Sequence, residues 1–251
     1  MNLFAYIPTI LSTPLLKIPL LVSEAILNYI TTTPPNPPPP PVQTKKYDGH
    51  GILTPIDDMH MKIISVLKWC TCGLIMMEAA AVIIQETPSL WQSHPSLAQV
   101  STTVEDLSLR ITPTFVVGSM LALAGGLNRL WCHRTLGRFF VWQLSLQDGH
   151  KLVTTGPYAI VRHPSYISWI VLQVGNIIML SSAGSYCVEA GVWQSVWGKK
   201  CAVVMIGYFT PAAMILLNRM AKEDAVLREE FGSEWEAWSK QTPYQAIPYL
   251  Y

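Results

Sequence analysis

Four stretches of this 251-residue chain are apolar enough to lie in lipid. Ile63 to Gln85 carries only Lys68 and Glu78, and Ile111 to Leu127 has no charge before Arg129. Pro164 to Ser182 has none at all, and Cys201 to Asn218 none before Arg219. A helix satisfies its own backbone hydrogen bonds in a bilayer, and about 20 apolar residues cover the hydrocarbon. Pro211 is expected to kink the last stretch. Composition points the same way: charged residues make up 13% of the chain, against about 25% in soluble domains. A net charge of +1 leaves no basic footprint for nucleic acid.

Leu3 to Ile30 is also apolar, though interrupted by Lys17, Glu24 and prolines. It lacks a basic start and a small-residue cleavage site, which argues against a cleaved signal peptide and for a kinked membrane helix or interfacial segment. Residues 31–60 open with TTTPPNPPPPPV, a tract unable to donate helix or sheet hydrogen bonds and expected as an extended spacer. An SH3-type docking role is the alternative for it. The expected organisation is a membrane segment over 1–30, a proline-rich linker over 31–60 and a functional core over 61–251. The fold class is an all-α integral membrane protein with about five membrane helices. Five cysteines within or beside apolar segments are expected as small hydrophobes, with no metal set. Glu78 is either a functional intramembrane carboxylate or a residue near a helix end or cavity, with Lys68 ten residues away.

The cations set orientation. If the spans alternate and the tail after Arg219 is cytosolic, 11 of the 17 Lys and Arg fall on the cytosolic side, as the positive-inside rule requires. The loop from Trp131 to His163 and the tail from Arg219 to Tyr251 then share that face. In the tail, Leu227, Phe231, Trp235 and Trp238 form an expected helical stripe, lying on the membrane or closing over the loop.

Within the loop, Gly156-Pro157 signals a turn, and Pro164 stands where a helix favours it at its first turn. Arg162 and His163 therefore lie at a helix N-terminus, where free N–H groups attract anions. They are either interfacial charges or, with His150, Tyr158 and Tyr166, a carboxylate site. Arg219 and Glu223 share a helix face at i,i+4. That pair is either a surface ion pair or the other wall of the same pocket.

LGRFF (136–140), GHKLVTTGPY (149–158), VRHPSY (161–166) and RMAKEDAVLREEFGSEW (219–235) together resemble the isoprenylcysteine carboxyl methyltransferase family. The resemblance covers about the last 120 residues and implies a cytosol-facing cofactor pocket closed by a C-terminal amphipathic helix. It implies methyl transfer from S-adenosylmethionine to the α-carboxylate of a C-terminal prenylated cysteine of proteins, in the endoplasmic reticulum membrane. Membrane lipid is the surrounding partner. By position, the cofactor contacts would be Gln143, His150, Lys151, Leu152, Val153, Tyr158, His163, Pro164, Ser165, Tyr166 and Glu223. Arg219 would meet the substrate carboxylate, and Arg162 would lie beside both reactants. The chain departs from the family pattern at Asp224, where a second glutamate is usual, and at Ser168, where a glycine often stands. A membrane lipid-amine N-methyltransferase would share the cofactor site and differ in its acceptor pocket. A non-catalytic adaptor would keep the fold without binding cofactor, and a sterol reductase would need a nicotinamide site.

Overall fold

The computed structural model describes residues 14–40, 58–92, 95–142 and 147–250. Those residues form helices and turns, and the protein is an all-α integral membrane protein. The helices are α1 (Lys17–Thr31), α2 (Asp58–Glu86), α3 (Pro88–Gln92), α4 (Pro95–Glu105), α5 (Pro113–Leu136), α6 (Pro164–Leu180), α7 (Tyr186–Glu189), α8 (Val196–Phe231) and α9 (Ser233–Gln241). Among the described residues, four segments are long and apolar enough to cross a membrane: Pro14–Thr31, Met61–Glu86, Pro113–Phe139 and Val196–Phe231. α6 is equally apolar but has 17 residues, the short end of what spans a bilayer.

The described chain divides into two compact units, one drawn from 14–28, 69–123 and 172–206, the other from 29–68, 124–171 and 207–250. In the first, Leu21, Ile75, Phe115, Met179 and Leu180 form a buried cluster. Gly118 of α5 and Gly175 of α6 let two backbones meet there, since a Cβ on Gly175 would run into Ala122 N and Gly118 O. Close approach through small residues is how membrane helices pack when apolar side chains gain nothing over lipid.

The same unit pairs Glu78 with a lysine remote in sequence. Its partner is Lys17, both fully buried, with Lys17 Nζ also donating to Gly184 O at 2.8 Å. Lys68 instead donates to Thr33 Oγ1 at 2.8 Å in the other unit. A buried ammonium needs several oxygens to offset its lost hydration, and the sequence distance to Glu78 does not limit which lysine can supply the charge. All five cysteines are free thiols, with Cys72, Cys132 and Cys187 buried.

The C-terminal region differs in one respect from the sequence expectation. α8 runs unbroken through Pro211 and on through Arg219 to Phe231, so the span and the start of the tail are one helix. Gly232 then ends it with φ +48°, and α9 starts at Ser233. That left-handed φ suits glycine and costs other residues. The expected stripe is thus split: Leu227 and Phe231 sit on α8, Trp235 and Trp238 on α9. Along α8, Val203, Val204, Ile206 and Met214 are exposed, as befits a helix with lipid beside it.

Candidate active site

The second unit gathers the polar residues. Its core joins Cys132, Phe140, Tyr158 and Trp238, with Leu136, Leu152, Val153 and Trp235 packed against them. Trp238 Nε1 donates to Tyr158 O at 3.2 Å, tying α9 to the loop. The Gly-Pro turn forms as expected: Gly156–Ala159 is a 3-10 turn with Pro157 at its start. Gly156 has φ +61°, and a Cβ there would stand 3.1 Å from Thr135 Oγ1, so both conformation and space call for glycine. Pro164 then opens α6.

This scaffold encloses a cavity with about 870 Å³ of empty space, its open mouth included. The loop contributes His150, Leu152, Val153 and Tyr158; the start of α6 contributes Arg162, His163, Ser165 and Tyr166; α8 contributes Arg219 and Glu223. Of the remaining expected residues, Lys151 is exposed and Pro164 buried, and neither lines the cavity. Gln143 lies outside the described residues.

The polar groups are tied to one another. Tyr166 donates its hydroxyl to Glu223 Oε2 at 2.6 Å. His163 Nε2 lies 2.8 Å from Asp224 Oδ1, its Nδ1 3.6 Å from Glu223 Oε2, and its ring stacks on Tyr166. Arg162 donates from Nε to Asp224 Oδ2 at 3.0 Å and from Nη1 to the carbonyls of Thr242 and Pro243. Arg219 donates from Nη1 to Trp142 O at 2.7 Å, with its guanidinium 5.8 Å from the Tyr166 ring centre. Ser165 accepts from Arg129 Nη1 at 2.9 Å, and Arg129 Nε donates to Thr31 O. This bonding fixes the first turn of α6.

Of the described residues lining the cavity, two keep unused buried hydrogen-bonding capacity. His150 Nδ1 and Arg219 Nε are buried without a partner, a costly state that a bound ligand relieves. Burial holds the His150 imidazole below its ordinary pKa, against the pull of Glu223 and Glu230. Burial also pushes the Tyr158 phenol well above its ordinary range, so it remains a neutral hydroxyl.

Further residues complete the cavity. Phe139, Phe140, Leu227 and Trp238 supply apolar wall. Asp224, named only as a departure from a family pattern, holds both Arg162 and His163. Asn36, inside the proline tract, donates to Gly137 O at 2.8 Å and Phe140 O at 2.9 Å, fixing that wall. Asn36 is the one polar side chain in a run of prolines, and that was the available signal.

A model of the isoprenylcysteine carboxyl methyltransferase (ICMT) family matches residues 118–197. The chain is 25% identical over 153 residues to the protein-S-isoprenylcysteine O-methyltransferase of Xenopus laevis, covering 60% of this chain and 46% of that protein. It is 28% identical over 143 residues to the Homo sapiens protein of the same description, covering 56% and 43%. A Delta(14)-sterol reductase, erg24 of Schizosaccharomyces pombe, is 30% identical over 108 residues, covering 43% of this chain and 21% of the reductase. The chain therefore spans less than half the length of these curated relatives. Over residues 118–197, then, the chain is similar to the isoprenylcysteine carboxyl methyltransferase family, and its RHPSY and Arg219–Glu223 segments meet at one cavity.

Proposed function

We propose that this protein transfers a methyl group from S-adenosylmethionine to the α-carboxylate of a C-terminal prenylated cysteine, at the cytosolic face of the endoplasmic reticulum membrane. The observation that carries the reading is Arg219. It offers an unpartnered buried donor in the same cavity as the His150, His163, Tyr166 and Glu223 group. An arginine suits a carboxylate, which it can grip with paired donors.

The cavity residues fit the cofactor. Its ribose hydroxyls and ammonium are donors that match the Glu223 carboxylate, and the unpartnered His150 Nδ1 can bond to its polar end. When bound, S-adenosylmethionine supplies a methyl group activated by the sulfonium charge. The acceptor carboxylate is already ionised at neutral pH, so the chain need not provide a base. Arg219 orients the carboxylate and leaves one oxygen free to attack. Phe139, Phe140, Leu227 and Trp238 exclude water, and holding two reactants in line supplies several kcal/mol of the barrier. Arg162, with Nε and Nη1 engaged by Asp224 and the C-terminal carbonyls, supports the site as a fixed wall. A prenyl chain partitions into lipid, which gives a membrane enzyme its access to the substrate.

The test is to incubate membranes containing the full chain with methyl-labelled S-adenosylmethionine and a farnesylcysteine analogue. A base-labile methyl ester is expected. Label appearing in lipid amine instead, or no transfer, overturns the reading.

A further inference from the structure

We infer that Gln245 is a positioning residue for the proposed cofactor end of the cavity, acting through Asp224 on the His163 ring. The inference rests on the methyltransferase reading for its ligand and on geometry for everything else. Asp224 is buried and engages three side chains. His163 Nε2 lies against Oδ1, while Arg162 Nε and Gln245 Nε2 each donate to Oδ2 at 3.0 Å. Gln245 also meets His163 through the main chain, since His163 N donates to Gln245 O at 2.7 Å. One residue of the C-terminal segment therefore holds the same histidine twice: directly at its backbone, and through a carboxylate at its ring.

The neighbouring residues make this a clamp. Arg162 N donates to Tyr244 O at 2.9 Å, and the Arg162 guanidinium takes the carbonyls of Thr242 and Pro243. Four consecutive carbonyls, 242–245, thus accept from the Arg162-His163 pair. Those bonds place the segment, while the Asp224 carboxylate itself is held by Arg162 at Oδ2 and by His163 at Oδ1. Gln245 adds the second donor on Oδ2 and so steadies the plane in which Oδ1 faces His163. With Nε2 set against Asp224, the ring turns Nδ1 toward Glu223 Oε2 at 3.6 Å. The His163 ring also stacks on Tyr166, so a turn of the ring displaces both residues and Glu223 with them. Sub-ångström misplacement of such a set is costly to binding and rate.

The test uses the full chain in detergent and compares wild type, Gln245→Ala and Gln245→Glu. In ligand-free protein labelled with ¹⁵N-histidine, with the His163 signal identified by its loss in His163→Gln, wild type should show an Nε2–H imidazole held in a hydrogen bond. Gln245→Ala should lose that signature. Calorimetric titration with S-adenosylmethionine should show Gln245→Ala binding about five- to tenfold more weakly than wild type. Gln245→Glu should match wild type at mildly acid pH, where a proton shared with Asp224 replaces the amide donor. It should fall about tenfold behind as pH rises and the two carboxylates repel beside Glu223, Arg162 and His163. A purely structural role would not give that pH-dependent ratio. An unchanged His163 signal in Gln245→Ala, or both variants binding like wild type at every pH, overturns the inference. Wild type failing to bind S-adenosylmethionine overturns the methyltransferase reading, while the histidine signal still decides the Gln245–His163 coupling.

Discussion

Tyr166 donates its hydroxyl to Glu223 across 2.6 Å, joining the first turn of α6 to α8 over a sequence separation of 57. The bond leaves Glu223 a positioned carboxylate with capacity on its second oxygen, which is what a ligand hydroxyl or ammonium requires. Tyr166→Phe removes the donor and keeps the ring. A hydrogen bond to a charged group contributes about 1.5–3 kcal/mol, so S-adenosylmethionine should bind at least about tenfold more weakly, with the fold retained. Calorimetric titration of purified protein checks this, and unchanged affinity would remove Glu223 from the ligand site.

Arg219 should separate binding of the acceptor from binding of the cofactor. Arg219→Lys keeps the charge but loses the planar pair of donors, and Arg219→Gln loses both. Both should lower kcat/KM for a prenylcysteine about a hundredfold, close to 3 kcal/mol of transition-state stabilisation. Cofactor affinity should stay within about twofold, since the proposed cofactor contacts lie on other residues. Steady-state methylation with varied acceptor, paired with direct titration, is the check. A loss confined to cofactor binding would move Arg219 to the other ligand.

His150 should make the protein acid-sensitive. Burial holds its folded-state pKa below the ordinary value of 6.5, so protonation is harder in the folded chain than in the unfolded one. The unfolded state then binds more protons as pH falls below 6.5, and stability is complete above that value and declines beneath it. His150→Phe keeps an aromatic ring between Phe139 and Phe231, its neighbours at 4.5 and 5.9 Å, and cannot titrate. Melting temperatures from pH 8 to pH 5 should fall more steeply for wild type than for this variant. Equal slopes would assign the acid sensitivity elsewhere.

What the sequence disclosed was local in origin. Apolar runs mark the spans because each must satisfy lipid by itself, and Pro164 marks the start of α6 because the ring suits a helix's first turn. His163 and Tyr166 were visible as polar residues beside an apolar span, and Glu223 by its i,i+4 spacing from Arg219. The residues that hold them were hidden, because nothing near Asp224 in sequence says that it meets Arg162, 62 positions earlier, or Gln245, 21 later. Lys17 likewise reaches Glu78 across 61 residues, while the nearer Lys68 goes elsewhere. Such pairings follow from how helices stack, and a stripe pattern cannot disclose them. Gly232 had the same ambiguity, since glycine inside a helical pattern is tolerated as often as it is a stop.

The crossing of α5 and α6 offers the sharpest test of the packing. A Cβ on Gly118 would sit 2.6 Å from Met179 N and 2.9 Å from Gly175 O. One on Gly175 would meet Ala122 N and Gly118 O. These neighbours are backbone atoms of two helices, so no side chain can swing aside and the helices themselves must part. Overpacking of this kind costs about 1–3 kcal/mol, and in lipid the lost contact has no hydrophobic gain to offset it. Gly73 of α2 and Gly207 of α8 supply the control, because a Cβ there meets nothing within 4 Å. Replacing an unconstrained helical glycine with alanine stabilises by about 0.5–1 kcal/mol. Gly175→Ala should therefore lower the melting temperature in detergent, while Gly73→Ala and Gly207→Ala leave it level or raise it. If all three variants move together, the α5–α6 backbone contact is not what holds this unit.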